Sequence, residues 1–312
     1  MTPIPQAMEW YERGILTKRD TGGLELTWGN EEAAREMLRR IAFRIGIGDL
    51  LAEGVECCAK KLGQEAESTL ITLKGSPILA SDPRSGSLAE ALGILVSPRG
   101  GDDLSSTHTI IDSCPEWARS RGWSQEEFLR WWRDWLDMPS EVKKAVFGDP
   151  PRSTALDNRD PRGKPELVGW YSKLVALYDS LGLCMFPVSQ LGAWGPTHMA
   201  DLCSSYLGID YSPEDAVLVG ERVATLKQSF VMRYGWHSVH DAWPDRFHDE
   251  PLPDGPRAGQ TLSRKVMEEL RSDYYMLMGW DPETGTPLVE TLERLGVVGT
   301  VDNGKRHTRS HT

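Results

Sequence analysis

Pro165-Glu166-Leu167-Val168-Gly169-Trp170-Tyr171-Ser172-Lys173-Leu174-Val175-Ala176-Leu177-Tyr178-Asp179-Ser180-Leu181-Gly182-Leu183-Cys184 is the stretch from which the rest of the chain is read. Leu167, Val168, Tyr171, Leu174, Val175 and Tyr178 recur at helical spacing, which predicts a helix over 165–180. Gly182 suits a left-handed cap after that helix, so Leu183 and Cys184 should project from a turn. Asp179 and Cys184 can then offer an anionic acceptor and a thiolate to one cofactor site. A single Cys does not hold an iron–sulfur cluster, which usually needs four thiolates.

Outward from this stretch the pattern stays helical. Residues 4–15 carry apolar positions at helical spacing, and Asn30 is placed to cap a second helix with Glu31 and Glu32 in its first turn. A third helix is expected from Asp49 to near Gly63, and Leu70–Leu73 is a short β-prone run. Residues 89–96 read as helix, followed by the charged turn Arg99-Gly100-Gly101-Asp102-Asp103. Ser124 and Glu127 stand at capping-box spacing ahead of Phe128, Trp131, Trp132 and Trp135. Further helices are expected over 215–234, 263–278 and 287–295, with irregular chain at 148–163 and 236–260. The tally is mostly helix with minor strands, so the expected class is all-α, with two packed helical subdomains at 1–104 and 105–302 and a polar tail at 303–312. No alternation of strands and helices supports a dinucleotide-binding sheet.

The formal net charge of −11 over 312 residues argues against a general nucleic-acid binder, which needs a basic face. Five Cys in a chain this long make no disulfide framework. Without an apolar run near 18 residues or a charged-then-apolar leader, the reading is a reduced, cytoplasmic protein. Twelve Trp predict aromatic-rich helix packing. Cys57 and Cys58 lie on a helical pattern and read as small core residues. His237 and His240 have i, i+3 spacing, but Trp236, Trp243 and Pro244 around them favour a packed loop over a metal site. A metal hydrolase on these two His lacks a carboxylate at matching spacing.

Several segments together resemble the C-terminal region of the tungsten-containing aldehyde:ferredoxin oxidoreductase family. The Asp-x-x-Gly-Leu-Cys run at 179–184 looks like that family's second pterin-binding motif. Asn30–Ala34, Gly46–Val55, Lys74-Gly75, Asp82-Pro83-Arg84 and Arg99-Gly100-Gly101 follow in the family's order. So do Gly220-Glu221-Arg222, Glu250–Pro256, Tyr274-Tyr275, Gly279-Trp280-Asp281, Gly285-x-Pro287 and Leu295-Gly296. The resemblance implies oxidation of an aldehyde to a carboxylate at a tungsten bis-pterin centre (tungstopterin), with electrons passing through a [4Fe-4S] cluster to ferredoxin. In that scheme Asp179 accepts hydrogen bonds from the pterin, Leu183 offers backbone contacts, Gly182 permits the turn and Cys184 is an iron ligand.

The family's β-rich pterin domain, its Cys-x-x-Cys-x-x-x-Cys triplet and its first pterin motif precede the matched region. Cys57, Cys58, Cys114 and Cys203 do not reproduce the triplet spacing. The chain therefore reads as about half of a family member, and both cofactors are expected only together with the missing N-terminal half. A mononuclear iron between subunits is not carried over, because Asp103 stands where members often have His, with His108 five residues on. No His lies at 109–197 to match one found near the tungsten. Three readings follow: a functional half completed by a separate N-terminal-half polypeptide, an inactive truncated fragment, or a cofactor-free helical scaffold. Distant relatives acting on acyl-CoA or aryl-CoA compounds widen the substrate range, and a homodimer is a further expectation.

Overall fold

The computed structural model describes residues 3–78, 82–106, 120–185 and 194–299. His108, Cys114 and the tail at 303–312 lie outside the described residues. Among those described, the fold is all-α: fourteen α-helices and a single two-stranded hairpin.

Local chemistry sets the first elements. After α1 (Pro3–Glu12), helix α2 (Glu31–Ala42) starts where the Asn30 side chain accepts the Ala33 N–H at 3.1 Å. The single helix expected from Asp49 is two, α3 (Ile47–Leu51) and α4 (Val55–Leu62). Gly54 between them has φ 96°, a value that ends a right-handed helix. After α5 (Gln64–Ser68), β1 (Thr72–Leu73) pairs antiparallel with β2 (Ser76–Pro77) across Lys74 and Gly75, both at positive φ. Helix α6 (Leu88–Val96) is buried at every position except Glu90 and forms the centre of the larger core.

The second half is built on one hub. The expected capping box is formed at the start of α7 (Gln125–Trp135), where Trp131 and Trp135 stack at 5.1 Å. Helix α8 (Ser140–Phe147) leads to α9 (Lys164–Leu181), which packs on α6 and α8 and on the later helices α11 (Pro213–Arg233) and α13 (Arg264–Leu277). Its contact with α11 is the most extensive between described elements. There a Cβ on Gly220 would stand 2.1 Å from the Lys173 carbonyl oxygen, so the backbones touch. Helix α10 (Pro196–Leu207) is not expected from the sequence, because its buried positions are few and mostly small: Pro196, Met199, Ala200 and Cys203. Its N-terminus is capped from far away, with Asp137 accepting the Thr197 N–H and hydroxyl, each at 2.9 Å. A 3-10 turn at Ser238–His240, α12 (Asp245–Asp249) and α14 (Val289–Leu295) complete the described elements.

Buried side chains form two main clusters, one drawn from residues 7–66 and one from 73–280. The changeover falls between Ala66 and Leu73, and α6 belongs to the larger cluster. A subdomain division near residue 105 stays a proposal of the sequence reading. Arg246 on α12 ties the clusters together: it pairs with Glu9 at 2.9 Å and donates to the Thr69 carbonyl at 2.8 Å.

Candidate functional site: a cleft at the end of the central helix

Helix α9 stops as its sequence requires. Gly182 adopts φ 68° and ψ 23°, while the Leu183 N–H reaches back to the Tyr178 carbonyl at 3.0 Å. The turn leaves the side chains of Asp179 and Cys184 exposed, with Leu183 half-buried against the larger core. Asp179, Leu183 and Cys184 line one cleft of about 940 Å³, within the range of ligand sites. Gly182 shapes the turn without lining the cleft.

The opposite wall comes from α11 and the loop after α6. Leu226, Phe230 and Val231 make it largely apolar, and Arg99, Lys227 and Arg233 bring cations to it. Lys227 Nζ lies 2.9 Å from Asp179 Oδ2. This lysine was not singled out from the sequence. It stands two helical turns beyond Gly220, on the face of α11 that meets α9, and that spacing is the signal that could have found it. Arg99 holds Asp102 through two hydrogen bonds, at 2.6 and 3.0 Å, and Asp102 also accepts from the Ser105 hydroxyl. Burial alone would raise the Asp102 carboxyl, but the Arg99 and Ser105 hydrogen bonds outweigh it and hold the group below the usual carboxylate range. The same contact raises the Arg99 guanidinium.

Other candidates fall outside the cleft. Cys58 is buried, and that burial pushes its thiol up to about 11, so it is a core residue as expected. Cys57 is exposed, because neighbouring residues on a helix point about 100° apart and one face only meets the core. Cys203 is buried on α10. His240 Nδ1 accepts the His237 backbone N–H at 3.0 Å and its ring packs on Trp236 at 4.7 Å, a local loop contact. Among the described residues no three His, Cys, Asp or Glu side chains converge as a metal site.

Several motifs noted in the sequence meet one another away from the cleft. Lys74, 6% exposed, pairs with Asp241 at 2.5 Å and donates to the carbonyls of Leu95 and Ser97, while the Tyr275 hydroxyl donates to the other Asp241 oxygen. Burial and the Asp241 charge push the Tyr275 phenol far up. Arg84 holds Asp82, donates to the Glu250 carbonyl at 2.8 Å and lies over the Phe247 ring. Glu221 pairs with Arg294 at 2.8 Å and Lys173 at 3.5 Å, and Arg222 donates to the Leu295 carbonyl. Apart from the Arg84–Asp82 pair, these contacts join segments distant in sequence, and none of these residues lines the cleft.

The helical architecture, with a cleft at the end of α9, defines the class as an all-α protein. The chain belongs to the aldehyde ferredoxin oxidoreductase family: the family model "Aldehyde ferredoxin oxidoreductase, domains 2 & 3" matches residues 3–297. It is 31% identical over 296 residues to a tungsten-containing aldehyde ferredoxin oxidoreductase of Pyrococcus furiosus, across 94% of this chain and 42% of that protein. An aliphatic sulfonate oxidoreductase, WOR-like subunit, of the same organism is 29% identical over 302 residues, across 93% of this chain and 38% of that protein. A solved structure of the active site complex BamBC of benzoyl coenzyme A reductase, in complex with 1,5-dienoyl-CoA, shares the fold at a TM-score of 0.71 and 23% identity. That likeness covers 96% of this chain and 44% of the other. The chain thus spans less than half the length of the curated relatives it matches.

Proposed function

We propose that this chain forms one wall of the active site of a tungsten-pterin, iron–sulfur oxidoreductase that converts aldehydes to carboxylates in the cytoplasm and passes electrons to ferredoxin. The reading is carried by one observation: Asp179, Leu183 and Cys184, which the family motif singles out, line a single cleft. When bound, the tungsten-pterin centre supplies two-electron chemistry and the cluster supplies one-electron transfer.

The side chains present fit one side of such groups. Cys184 offers an accessible thiol at the cleft edge, suited to act as one thiolate ligand. Asp179 offers an acceptor-only carboxylate and Leu183 its backbone groups. Gly182 fixes the direction in which Leu183 and Cys184 leave the helix, and Leu226, Phe230 and Val231 give the facing wall its apolar character. The remaining three thiolates and the second pterin contact come from outside these 312 residues, from a polypeptide segment corresponding to the family's N-terminal half.

The test is to produce the chain together with the N-terminal half of a relative and to measure iron and tungsten per complex. Four irons per complex, falling sharply in Cys184→Ser, is the expected result. Iron content unchanged by that substitution overturns the reading. Parallel assays with an aldehyde, an aliphatic sulfonate and an aryl-CoA compound then assign the substrate class.

A further inference from the structure

We propose that one ordered water molecule is built into the core where α6, α9, α11 and α13 meet, held by Trp280, Gln228 and the Ser172–Tyr274 hydroxyl pair. The proposal is independent of the cofactor reading and of the chemistry of the cleft.

The room for it arises from residue size. Gly93 on α6, Ala176 on α9 and Ala224 on α11 carry little or no side chain, and the rings of Tyr274 and Trp280 border the cavity they leave. It offers about 20 Å³ to the centre of a water-sized sphere, against the roughly 10–15 Å³ that one water needs. That is space for a water and too little for an organic ligand. The chemistry of the lining selects the same occupant. Trp280 is 3% exposed, and its Nε1 donor has no acceptor among the described residues. An indole N–H only donates, so its partner must bring a lone pair. The Trp280 ring packs edge-on against Tyr274, with centroids 5.8 Å apart. Gln228, 8% exposed, donates from Nε2 to the Gly285 carbonyl at 3.1 Å. A carbonyl only accepts, so this contact sets the amide orientation and leaves Oε1 as an acceptor without a donor among the described residues. The Tyr274 and Ser172 hydroxyls bond each other at 3.3 Å, which uses one of their two protons and leaves the other. All four residues line the cavity. Two open donors and one open acceptor thus border a water-sized space. A water supplies lone pairs to the donors and a proton to the acceptor, the three hydrogen bonds typical of a buried water. An apolar guest would leave all three groups unmet. The water joins α9 through Ser172, α11 through Gln228, and the segment after α13 through Trp280. Pro98, Ser105 and Lys227 line both this cavity and the cleft, so the water stands directly behind the cleft wall.

The experiment is a high-resolution crystal structure of the full chain, paired with magnetic relaxation dispersion of the water oxygen, which counts long-lived internal waters in solution. The crystal should show a density peak in the cavity within hydrogen-bonding distance of both Trp280 Nε1 and Gln228 Oε1. In solution the dispersion amplitude should fall by one water in Gln228→Met, which removes the acceptor at similar side-chain length. Trp280→Phe, which removes the donor, should lower it by the same amount. No peak in the cavity, a peak that contacts neither atom, or an amplitude unchanged in both variants overturns the proposal. The density of the unaltered chain decides the matter even where a variant folds poorly. Neither iron nor tungsten content enters these measurements, so the water site stands or falls apart from the cofactor reading.

Discussion

The Cα of Gly220 on α11 sits against the carbonyl oxygen of Lys173 on α9 so closely that an added Cβ would stand 2.1 Å from it. The crossing brings Glu221 to Lys173 at one level and Lys227 to Asp179 two turns further on. Fold and cleft therefore share one steric requirement. Gly220→Ala should lower stability by about 1–3 kcal/mol through overpacking, read from the urea midpoint. It should also loosen the Lys227–Asp179 contact, because α11 has to move away from α9. An unchanged midpoint would show that the helices separate freely.

Lys74 and Asp241 form a buried pair, with side chains 6% and 5% exposed. Removing one partner leaves the other charge without compensation. Lys74→Met and Asp241→Leu should each cost about 3–5 kcal/mol, while the double variant should recover much of the loss. A double-mutant cycle by chemical denaturation measures the coupling; strictly additive losses count against the pair.

The carboxyls of Glu221 and Asp102 are held below their usual range. In both, burial pushes upward but is outweighed, by Arg294 and Lys173 for Glu221 and by Arg99 and Ser105 for Asp102. A carboxyl with a depressed folded pKa binds protons more readily when unfolded. Its contribution is therefore present above the unfolded value near pH 4 and is lost as pH falls through the folded value. Urea midpoints should hold from pH 7 to pH 5 and drop towards pH 3. Glu221→Gln should be less stable at neutral pH and show a shallower acid decline.

Cysteine accessibility gives a rapid check on the site. At pH 8 iodoacetamide should label Cys57 and Cys184, both exposed, and spare Cys58, whose thiol burial raises to about 11. In the assembled complex Cys184 alone of these should become protected. Peptide mass spectrometry separates the sites, and labelling of Cys184 at the same rate in both states contradicts the proposed ligand role.

Gly182 has φ 68° with no atom within 4 Å of where a Cβ would lie. Gly182→Ala is thus a test of backbone strain alone, expected at about 1 kcal/mol in thermal unfolding. Replacement by Val, whose branched side chain resists positive φ, should cost more and move Cys184 off the cleft edge.

Much of the helical pattern and the terminus of α9 could be read from residue types. The Asn30 cap, the Ser124–Glu127 box and the Gly182 turn depend on residues close in sequence, and each forms as expected. The break at Gly54 escaped that reading because glycine tolerates both helix and turn, and neighbouring backbone decides between them. Helix α10 escaped it because its capping carboxylate, Asp137, comes from another segment. The same reason hid the partners of Lys74 and Glu221 and the Glu250 carbonyl that Arg84 reaches: spacing along a chain says nothing about which distant segments meet. Asp179 and Cys184 were legible as a motif, while Lys227 becomes visible only once α11 is laid across α9.

Arg246 donates to the carbonyl of Thr69, 177 residues earlier, and to the carboxylate of Glu9. During synthesis Glu9 and Thr69 leave the ribosome well before Arg246 is joined to the chain. The smaller cluster of apolar side chains thus emerges without the guanidinium that seats it on the rest of the protein. Its docking is therefore expected late in translation, and substitutions at Arg246 should show first as an early-emerging segment that chaperones hold longer.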